Sequence, residues 1–364
     1  MKNTLKIDIV AGTRPNFVKI AALIHSIVEK GNDRIKYRLV HTGQHYSDSL
    51  NTSFFEQLNI PQPHINFNVG SGSQAFQTAE IMMKYEMAII DEMPDLCIVV
   101  GDVNSSMATA ITAKKMKVKL AHVEAGIRSG DRDMPEEINR IIIDSISDYF
   151  FTTTAEAKSL LINQGKHEKN IFFVGNTMID TLLKFKDHLI EPALFKELGL
   201  QNNSYLILTL HRPNNVDDAQ KLLQLIETIT KNCHNHPIIF PVHPRTEKIL
   251  NALSIRIPNL NLTPPLPYLE FVYLLEHSKG ILTDSGGITE EATLLNIPCM
   301  TLRDTTERPE TVSLGTNELL GTNPKVIKEA LKRLFNGTWK EGKIPDLWDG
   351  KTGDRIVEII LNKI

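Results

Sequence analysis

The 364-residue sequence is poor in cysteine, and its three cysteines, Cys97, Cys233 and Cys299, form neither a CxxC pair nor an even set. This excludes a disulfide-stapled secreted fold, and we expect reduced thiols in a cytoplasmic protein. No apolar run approaches the length of a membrane span, and no signal-type segment opens the chain. The formal charge of −3 argues against binding to nucleic acid or an anionic membrane. We therefore expect neither as a partner.

Motifs for metals and cofactors are missing as well. The sequence contains no HExxH, no metal-spaced Cys/His cluster, no GxxxxGK[ST] and no GxGxxG. Zinc enzymes, P-loop NTPases and nicotinamide enzymes use these patterns to hold a metal or a phosphate. We therefore expect an enzyme or binding protein without a metal and without a nicotinamide cofactor.

Short apolar runs alternate with amphipathic stretches along most of the chain. Leu96–Val100 is apolar on both faces, which is typical of a strand in a parallel sheet with helices on each side. The rhythm restarts after a strand predicted at 171–175, and the chain length suits two domains. We predict an α/β fold of two doubly wound, Rossmann-like domains that face a central cleft. The predicted domains are residues 1–175, joined by a final helix at 354–364, and residues 176–350.

A glycine turn follows the predicted strand at 280–283 and opens a helix. Gly286 and Gly287 allow a phosphate to approach the backbone, while the helix start supplies free N–H groups for a pyrophosphate. Glu291 lies one turn further on, where a carboxylate can accept hydrogen bonds from two ribose hydroxyls. The alternative is a plain helix cap in which Ser285 bonds to the first turn.

The matching turn of the first domain is Gly12-Thr13-Arg14-Pro15. Arg14 precedes a proline at a predicted helix start, where its guanidinium can hold an anion with two hydrogen bonds. Lys19 lies on the same helix. Both side chains are either solvated surface cations or part of an anion site.

Acidic residues follow several predicted strands of the first domain. Asp102 comes directly after Leu96–Val100, Glu124 ends the next strand, and Glu136 opens a helix. Each could cap a helix or complement a helix dipole. Together they predict a cleft in which crowded carboxylates divide acid and base roles.

Two His/Arg pairs end successive strands of the second domain. His211 precedes Arg212, and His243 lies close to Arg245. Both histidines are either structural residues or contacts to an anionic substrate. The charged run 303–310, which includes Arg308, is either a solvated loop or a segment that closes over phosphates.

These motifs together resemble a known family, the non-hydrolysing UDP-N-acetylglucosamine 2-epimerases. The resemblance runs from Gly12 to at least Glu310. It is carried by GTRP at 12–15, TGQH at 42–45, GD at 101–102, HVEAGIRSGD at 122–131, PEEINR at 135–140, GNT at 175–177, HR at 211–212, PVHP at 241–244, TDSGGITEEA at 283–292 and RDTTERPE at 303–310.

The resemblance implies a GT-B-type fold, a homodimer, no metal and no nicotinamide. Matched position by position, it implies that UDP is bound by Arg14, Ser285, Gly286, Gly287 and Glu291. It further implies that Lys19 and Arg308 neutralise the phosphates, and that Phe271 lies near the uracil. The implied catalytic set consists of Asp102, Glu124, Glu136 and His211.

The reaction implied is reversible epimerisation of UDP-N-acetylglucosamine at C2, by anti elimination of UDP to 2-acetamidoglucal and re-addition. Ser47 stands where substrate-activated bacterial members carry other polar residues, which argues against allosteric activation by the substrate. Four alternatives remain: a hydrolysing 2-epimerase, a 2-epimerase of UDP-2,3-diacetamido sugars, a GT-B glycosyltransferase and a non-catalytic sugar-nucleotide sensor.

Overall fold

Strands and helices alternate along the chain, as the apolar rhythm predicts. The structure is a computed structural model that describes residues 4–31, 33–43, 54–242, 244–252 and 257–364. Contacts between residues divide the chain into two compact units, Met1–Lys184 with Asp346–Ile364 and Phe185–Pro345. Each unit has its own parallel sheet.

The first unit, within its described residues, holds a seven-stranded sheet of order β3-β2-β1-β4-β5-β6-β7. All neighbouring strands are parallel. The strands are β1 Leu5–Ala11, β2 Ile35–His41, β3 Ile65–Asn66, β4 Leu96–Val100, β5 Lys119–Ala125, β6 Tyr149–Thr152 and β7 Ile171–Phe173. The α-helices are Arg14–Lys30, Gln74–Asp91, Asn104–Lys115, Pro135–Ile146, Ala155–Asn163, Thr177–Phe185 and Thr352–Lys363.

The second unit, again within the described part, holds a six-stranded parallel sheet of order β10-β9-β8-β11-β12-β13. The strands are β8 Leu206–Thr209, β9 Ile238–Pro241, β10 Leu260–Thr263, β11 Gly280–Thr283, β12 Cys299–Thr301 and β13 Asn317–Leu319. The α-helices are Ala193–Glu197, Pro213–Val216, Ala219–Lys231, Pro244–Ala252, Tyr268–His277, Gly286–Leu295, Pro309–Ser313 and Pro324–Phe335.

These two sheets confirm the predicted fold class, two doubly wound parallel α/β domains. The central strands are buried on both faces, and all five residues of β4 are buried. Strands of this kind read as continuous apolar runs because no face meets water.

The strand order reverses once in each sheet, between β1 and β4 and between β8 and β11. At such a point the loops beyond the carboxyl ends of the strands diverge and leave room for a ligand. Gly12 and Gly101 follow β1 and β4, whereas Leu210 and Asp284 follow β8 and β11. The residues singled out from the sequence therefore cluster at the two reversal points.

The contacts place the division between the units after Lys184 rather than after residue 175. The helix Thr177–Phe185 accounts for the difference, because it is hydrogen-bonded to the first unit. Its Thr181 hydroxyl donates a hydrogen bond to the Val18 carbonyl at 2.7 Å.

The C-terminal helix Thr352–Lys363 packs on the helix Arg14–Lys30. The backbone N–H of Gly353 donates to Asp180 at 2.8 Å. Burial raises the pKa of Asp180 to about 6, although this hydrogen bond opposes the rise. A Cβ at residue 353 would lie 2.7 Å from the Ala22 carbonyl, so glycine permits the close approach of the two helices.

Candidate active site

The turn after β1 is held by Asn16, in the first turn of the following helix. Its side-chain oxygen accepts hydrogen bonds from the backbone N–H groups of Gly12 and Thr13, both at 3.2 Å. Its amide donates to the carbonyl of Val100, the last residue of β4, at 3.0 Å. Asn16 therefore joins the two loops that diverge at the strand reversal. Sequence analysis missed this role, since the only local signal is an amide three residues after Thr13, a capping-box position.

Close packing requires a glycine at position 12. A Cβ at this position would overlap Ser105 Oγ and lie 2.7 Å from Thr42 Oγ1. The hydroxyls of Thr42 and Ser105 are 2.7 Å apart and share a hydrogen bond. The turn therefore runs directly against the helix Asn104–Lys115.

Lys19 and Glu124 form a buried ion pair, with Nζ 2.7 Å from Oε2 and side chains only 11% and 3% exposed. Glu124 interrupts the pairing of β5 with β6 as a bulge and adopts a φ of +71°. A left-handed backbone is costly for a non-glycine residue and is found preferentially at functional sites. At this bulge the regular pairing with β6 is interrupted, and the Glu124 carboxylate is turned toward Lys19.

Gly101, which lies beside this pair, is followed by Asp102. Gly101 has a φ of +64°, and a Cβ there would lie 3.4 Å from both Glu124 Oε2 and Lys19 Nζ. The Asp102 carboxylate accepts hydrogen bonds from Arg140 Nε at 2.8 Å and Nη2 at 2.5 Å. Asp102 and Glu124 thus lie at the ends of neighbouring strands, and each is paired with a cation, Arg140 and Lys19 respectively.

The cap interpretation of Asp102 is wrong. Val103 occupies the N-cap position of the helix Asn104–Lys115, and no side-chain cap hydrogen bond forms there among the described residues. The Asp102 carboxylate instead faces Arg140, from the helix Pro135–Ile146. This pairing of residues distant in sequence becomes visible only in the fold.

Arg140 also binds Glu137, with Nη1 2.6 Å from Oε2. Burial raises the pKa of Glu137, but hydrogen bonds from Ser129, Gly130 and Arg140 hold the pKa below its ordinary value. Glu137 is therefore an ionised anchor for the arginine. Its neighbour Glu136, the predicted catalytic acid, is half-buried at the start of the same helix.

A buried His122–Asp144 pair contacts the backbone of Gly101, the residue before Asp102. His122 Nδ1 lies 2.7 Å from Asp144 Oδ1, and Nε2 lies 3.1 Å from the Gly101 carbonyl. Burial raises the pKa of Asp144, but His122 and Arg128 bring the pKa below its ordinary value. In the sequence, His122 stands only within the motif at 122–131, and no local signal predicts its contact with Asp144.

In the second unit, Asp284 organises the turn after β8. It is fully buried and accepts hydrogen bonds from the backbone N–H groups of His211 and Arg212. His211 Nδ1 lies 2.7 Å from Asp284 Oδ1, and the His211 side chain is 55% exposed. The structure therefore brings His211 to the strand end that carries the predicted glycine turn.

Ser285 occupies the N-cap position of the helix Gly286–Leu295, but its side chain makes no cap hydrogen bond among the described residues. The plain-cap interpretation of this turn is therefore wrong. A Cβ at Gly286 would overlap the Glu307 carboxylate, so this glycine admits a neighbouring side chain. Gly287 is half-buried in the first turn of the helix.

The charged run 303–310 is not a solvated loop. Glu307 is 7% exposed and lies 2.7 Å from Arg303 Nη2 and 3.8 Å from Arg212 Nη2. Arg308 is equally buried and lies 2.8 Å from Glu290 Oε1. Buried ions of both signs therefore surround the start of the glycine-turn helix, beside Glu291.

Glu291 is a buried carboxyl group near the Tyr268 hydroxyl. Burial raises its pKa to about 7, while the hydrogen bond from Tyr268 opposes the rise. Phe271, on the same helix as Tyr268, is partly buried against a hydrophobic cluster that includes Leu274 and Leu275. Glu291 is thus poised to change charge near neutral pH.

Arg14 lies at the start of its helix, with Cζ 5.9 Å from the centroid of the Phe54 ring. Burial lowers the pKa of its guanidinium. His243 lies outside the described residues, as do Gln44, His45 and Ser47.

The described residues contain no group of three or more His, Cys, Asp or Glu side chains arranged to hold a metal. Within the same ranges, no helix has both the length and the apolarity needed to cross a bilayer.

Comparison with known proteins agrees with this geometry. Residues 29–361 match the family described as UDP-N-acetylglucosamine 2-epimerase. The chain is 41% identical to the UDP-N-acetylglucosamine 2-epimerase of Methanocaldococcus jannaschii, over 98% of this chain and 99% of the relative. It is 36% identical to the UDP-2,3-diacetamido-2,3-dideoxy-D-glucuronate 2-epimerase of Pseudomonas aeruginosa, over 98% and 99% of the two chains.

The structure is also similar to the crystal structure of the M. jannaschii enzyme in complex with UDP-GlcNAc and UDP. The TM-score is 0.89 at 40% identity, covering 98% of this chain and 99% of that one. The fold and these similarities define an enzyme of nucleotide-activated sugars. More particularly, the chain belongs to the UDP-N-acetylglucosamine 2-epimerase family. The predicted family is confirmed, and with it the prediction of an enzyme.

The Lys19–Glu124 pair yields a prediction about stability. Lys19→Met leaves the Glu124 carboxylate buried without its lysine, so we expect the free energy of unfolding to fall by about 3–5 kcal/mol in urea titrations. Adding Glu124→Gln is expected to recover much of the loss, because the buried charge is then removed.

Lys184→Met is the matched control, since it breaks the exposed Lys184–Glu29 pair of the same unit. Exposed pairs contribute about 0–1 kcal/mol. If Lys19→Met costs no more than this control, the pair at Glu124 is not a buried stabilising contact.

Proposed function

We propose that the protein catalyses the reversible, non-hydrolysing epimerisation of UDP-N-acetylglucosamine at C2 to give UDP-N-acetylmannosamine. The observation that carries the proposal is the cluster of Asp102 and Glu124 with Lys19 and Arg140 at neighbouring strand ends. A relative 41% identical over nearly the whole chain bears the name of this activity.

The reaction begins with an anti elimination. A base removes the proton from C2, and the electrons of the C2–H bond form the C1=C2 double bond of 2-acetamidoglucal. The C1–O bond breaks, and its electron pair leaves with the β-phosphate oxygen of UDP. In the return step a proton is added to C2 from the opposite face, and the UDP oxygen re-forms the bond to C1.

The carboxylates of the first domain suit this chemistry, because proton removal and return on two faces need more than one acid–base group. We assign this role to Asp102, Glu124, Glu136 and His211. Lys19 and Arg140 hold neighbouring carboxylates in place and stabilise the negative charge that develops on the diphosphate. The substrate cleft must exclude water, because the glucal and UDP have to remain bound until re-addition.

We assign binding of the UDP part to the second domain. Ser285, Gly286 and Gly287 present the N–H groups of a helix start, which suits a diphosphate. Glu291 accepts hydrogen bonds from the ribose hydroxyls, and Arg308 neutralises phosphate charge. His243 and Phe271 complete the proposed contacts, with Phe271 near the uracil.

A second candidate substrate is a UDP-2,3-diacetamido sugar, because a 36% identical relative is named for its epimerisation. A hydrolysing 2-epimerase would release free N-acetylmannosamine and UDP. A glycosyltransferase or a sugar-nucleotide sensor is disfavoured, since neither needs so many carboxylates at one strand reversal.

The function is tested by proton NMR of UDP-N-acetylglucosamine incubated with the protein in deuterated water. We expect UDP-N-acetylmannosamine with deuterium at C2. Asp102→Asn is expected to lower kcat by about 10²-fold or more while UDP affinity changes little. Asp95→Asn, at the start of the same strand, is the control and is expected to retain activity.

Free sugar plus UDP as products would replace the proposal with hydrolysis. An unchanged UDP-N-acetylglucosamine spectrum, with turnover of UDP-2,3-diacetamidoglucuronate in the same assay, would reassign the substrate. No turnover of either compound would reject epimerase activity.

Glu291 predicts a pH dependence of substrate binding. Its pKa is raised to about 7 by burial, so the ribose-binding carboxylate form is lost as the pH falls through that value. In the Asp102→Asn background, UDP-N-acetylglucosamine affinity should rise about tenfold from pH 6 to pH 8 by calorimetry. The phosphates of this ligand are diesters and do not titrate in that range.

Glu291→Gln is the control, because it retains the hydrogen-bonding shape without a titrating group. We expect it to flatten the pH profile. An identical slope in the glutamine variant would assign the dependence to another group.

We also propose a homodimer in the cytoplasm. The helix Gln74–Asp91 presents an apolar stripe of Met83, Met87 and Ile90, which are 58%, 70% and 71% exposed. The spacing places these side chains on one helix face, as suits contact with a second copy. The three cysteines are free and buried, which fits a reducing compartment.

Light scattering after size exclusion tests the dimer. The double variant Met87→Glu, Ile90→Glu is expected to be a folded monomer, because buried charge at an apolar interface is costly. Val28→Glu, at a similarly exposed apolar residue, is expected to leave the dimer intact. A wild-type monomer at micromolar concentration would contradict the proposal.

A further inference from the structure

Asp284 and His211 meet because β8 and β11 are neighbouring parallel strands in register. Thr209 and Thr283, the last residues of the two strands, pair with each other. The residues that follow them therefore leave the sheet side by side at the same edge. Asp284 is the first residue after β11, and its side chain is completely buried. The sequence distance between Asp284 and His211 hides this contact from any local pattern.

The Asp284 carboxylate accepts hydrogen bonds from the turn that carries His211. The N–H of His211 lies 3.1 Å from both carboxylate oxygens, and the N–H of Arg212 lies 3.0 Å from Oδ2. The Asn215 amide donates at 3.0 Å. His211 Nδ1 lies 2.7 Å from Oδ1. The Asp284 carboxylate therefore holds both the backbone N–H and the ring of His211.

Asp284 is ionised in this environment. Burial raises its pKa, but the hydrogen bonds from His211, Arg212 and Asn215 bring the pKa below the ordinary value. An ionised carboxylate only accepts hydrogen bonds, so a short contact to Nδ1 requires that this nitrogen carry a proton. In the neutral ring the proton is then absent from Nε2.

We propose that Asp284 is a positioning residue that holds His211 in one orientation and in the Nδ1-protonated tautomer, so that Nε2 meets the reacting sugar nucleotide. This inference rests on the proposed function for its catalytic consequence. The ring is more than half exposed, so Nε2 can be reached while Nδ1 stays with the carboxylate. An orienting carboxylate behind a histidine also stabilises the imidazolium that forms when Nε2 takes up a proton.

A purely structural role is the competing explanation. The carboxylate would then serve only to hold the backbone of the turn, and the ring contact would have no consequence. The two explanations share the tautomer of His211 but differ in the effect of Asp284→Asn on kcat and in the way the Asp284 and His211 substitutions combine.

The tautomer is measured on the wild-type protein by long-range ¹H–¹⁵N NMR with ¹⁵N-labelled histidine, and His211→Gln assigns the signal. We expect protonated Nδ1 and unprotonated Nε2 for the neutral ring. The opposite tautomer overturns the proposal. This measurement needs neither turnover nor a variant of Asp284, so it can overturn the inference even if epimerase activity is not found.

The kinetic test uses Asp284→Asn, whose amide N–H can donate to Nδ1 and so favours the wrong tautomer. We expect kcat for UDP-N-acetylglucosamine to fall by about 10²–10⁴-fold, with KM changed only a few-fold. The double variant with His211→Gln should be no slower than His211→Gln alone, because Asp284 acts through His211.

An unchanged kcat in Asp284→Asn, or a double variant in which both losses multiply, overturns the proposal. UDP affinity and thermal unfolding of each variant show whether the turn remains folded. If Asp284→Asn does not fold, the tautomer of the wild-type ring remains the test of the proposed orientation.

Discussion

Parallel strand pairing at the two reversal points is the constraint on which the rest of the structure depends. Backbone hydrogen bonds hold β1 beside β4 and β8 beside β11, and the connecting loops must leave in opposite directions. Each reversal therefore leaves main-chain groups and short polar side chains at one place. In the first unit these are carboxylates, whereas in the second they are helix N–H groups and a histidine.

The charges buried at the strand ends of the first unit lie against ions of opposite sign. Lys19 is paired with Glu124, and Arg140 holds both Asp102 and Glu137. A buried ion pair contributes little net stability compared with apolar side chains, but losing one partner is costly. The pairs are therefore better understood as contacts that fix carboxylates in place than as a source of stability.

Two histidine–aspartate pairs, one in each unit, are built in the same way. His122 joins Asp144 to the Gly101 carbonyl, and Asp284 joins the ring and backbone of His211. In each, a buried carboxylate fixes a histidine and a loop together. Such outer contacts limit how far a functional side chain can move, which matters because acid–base chemistry tolerates little misplacement.

The sequence by itself determined the alternation of buried strands and helices, the two-domain fold class and the family, because apolar periodicity and motif order are local properties. It also located Asp102, Glu124, His211 and the glycine turn at strand ends. It could not exclude a helix cap at Asp102 or at Ser285. Nor could it identify Asn16, Asp144 or Asp284 as supports.

Those assignments were decided by tertiary structure alone. Asp284 reaches His211 because β11 lies beside β8, and Asn16 reaches Val100 because β4 lies beside β1. Strand order is set by packing of the whole sheet, and no local pattern in the chain encodes it. The backbone of Glu124 is a similar case, since a left-handed residue at a bulge persists only when surrounding contacts hold it there.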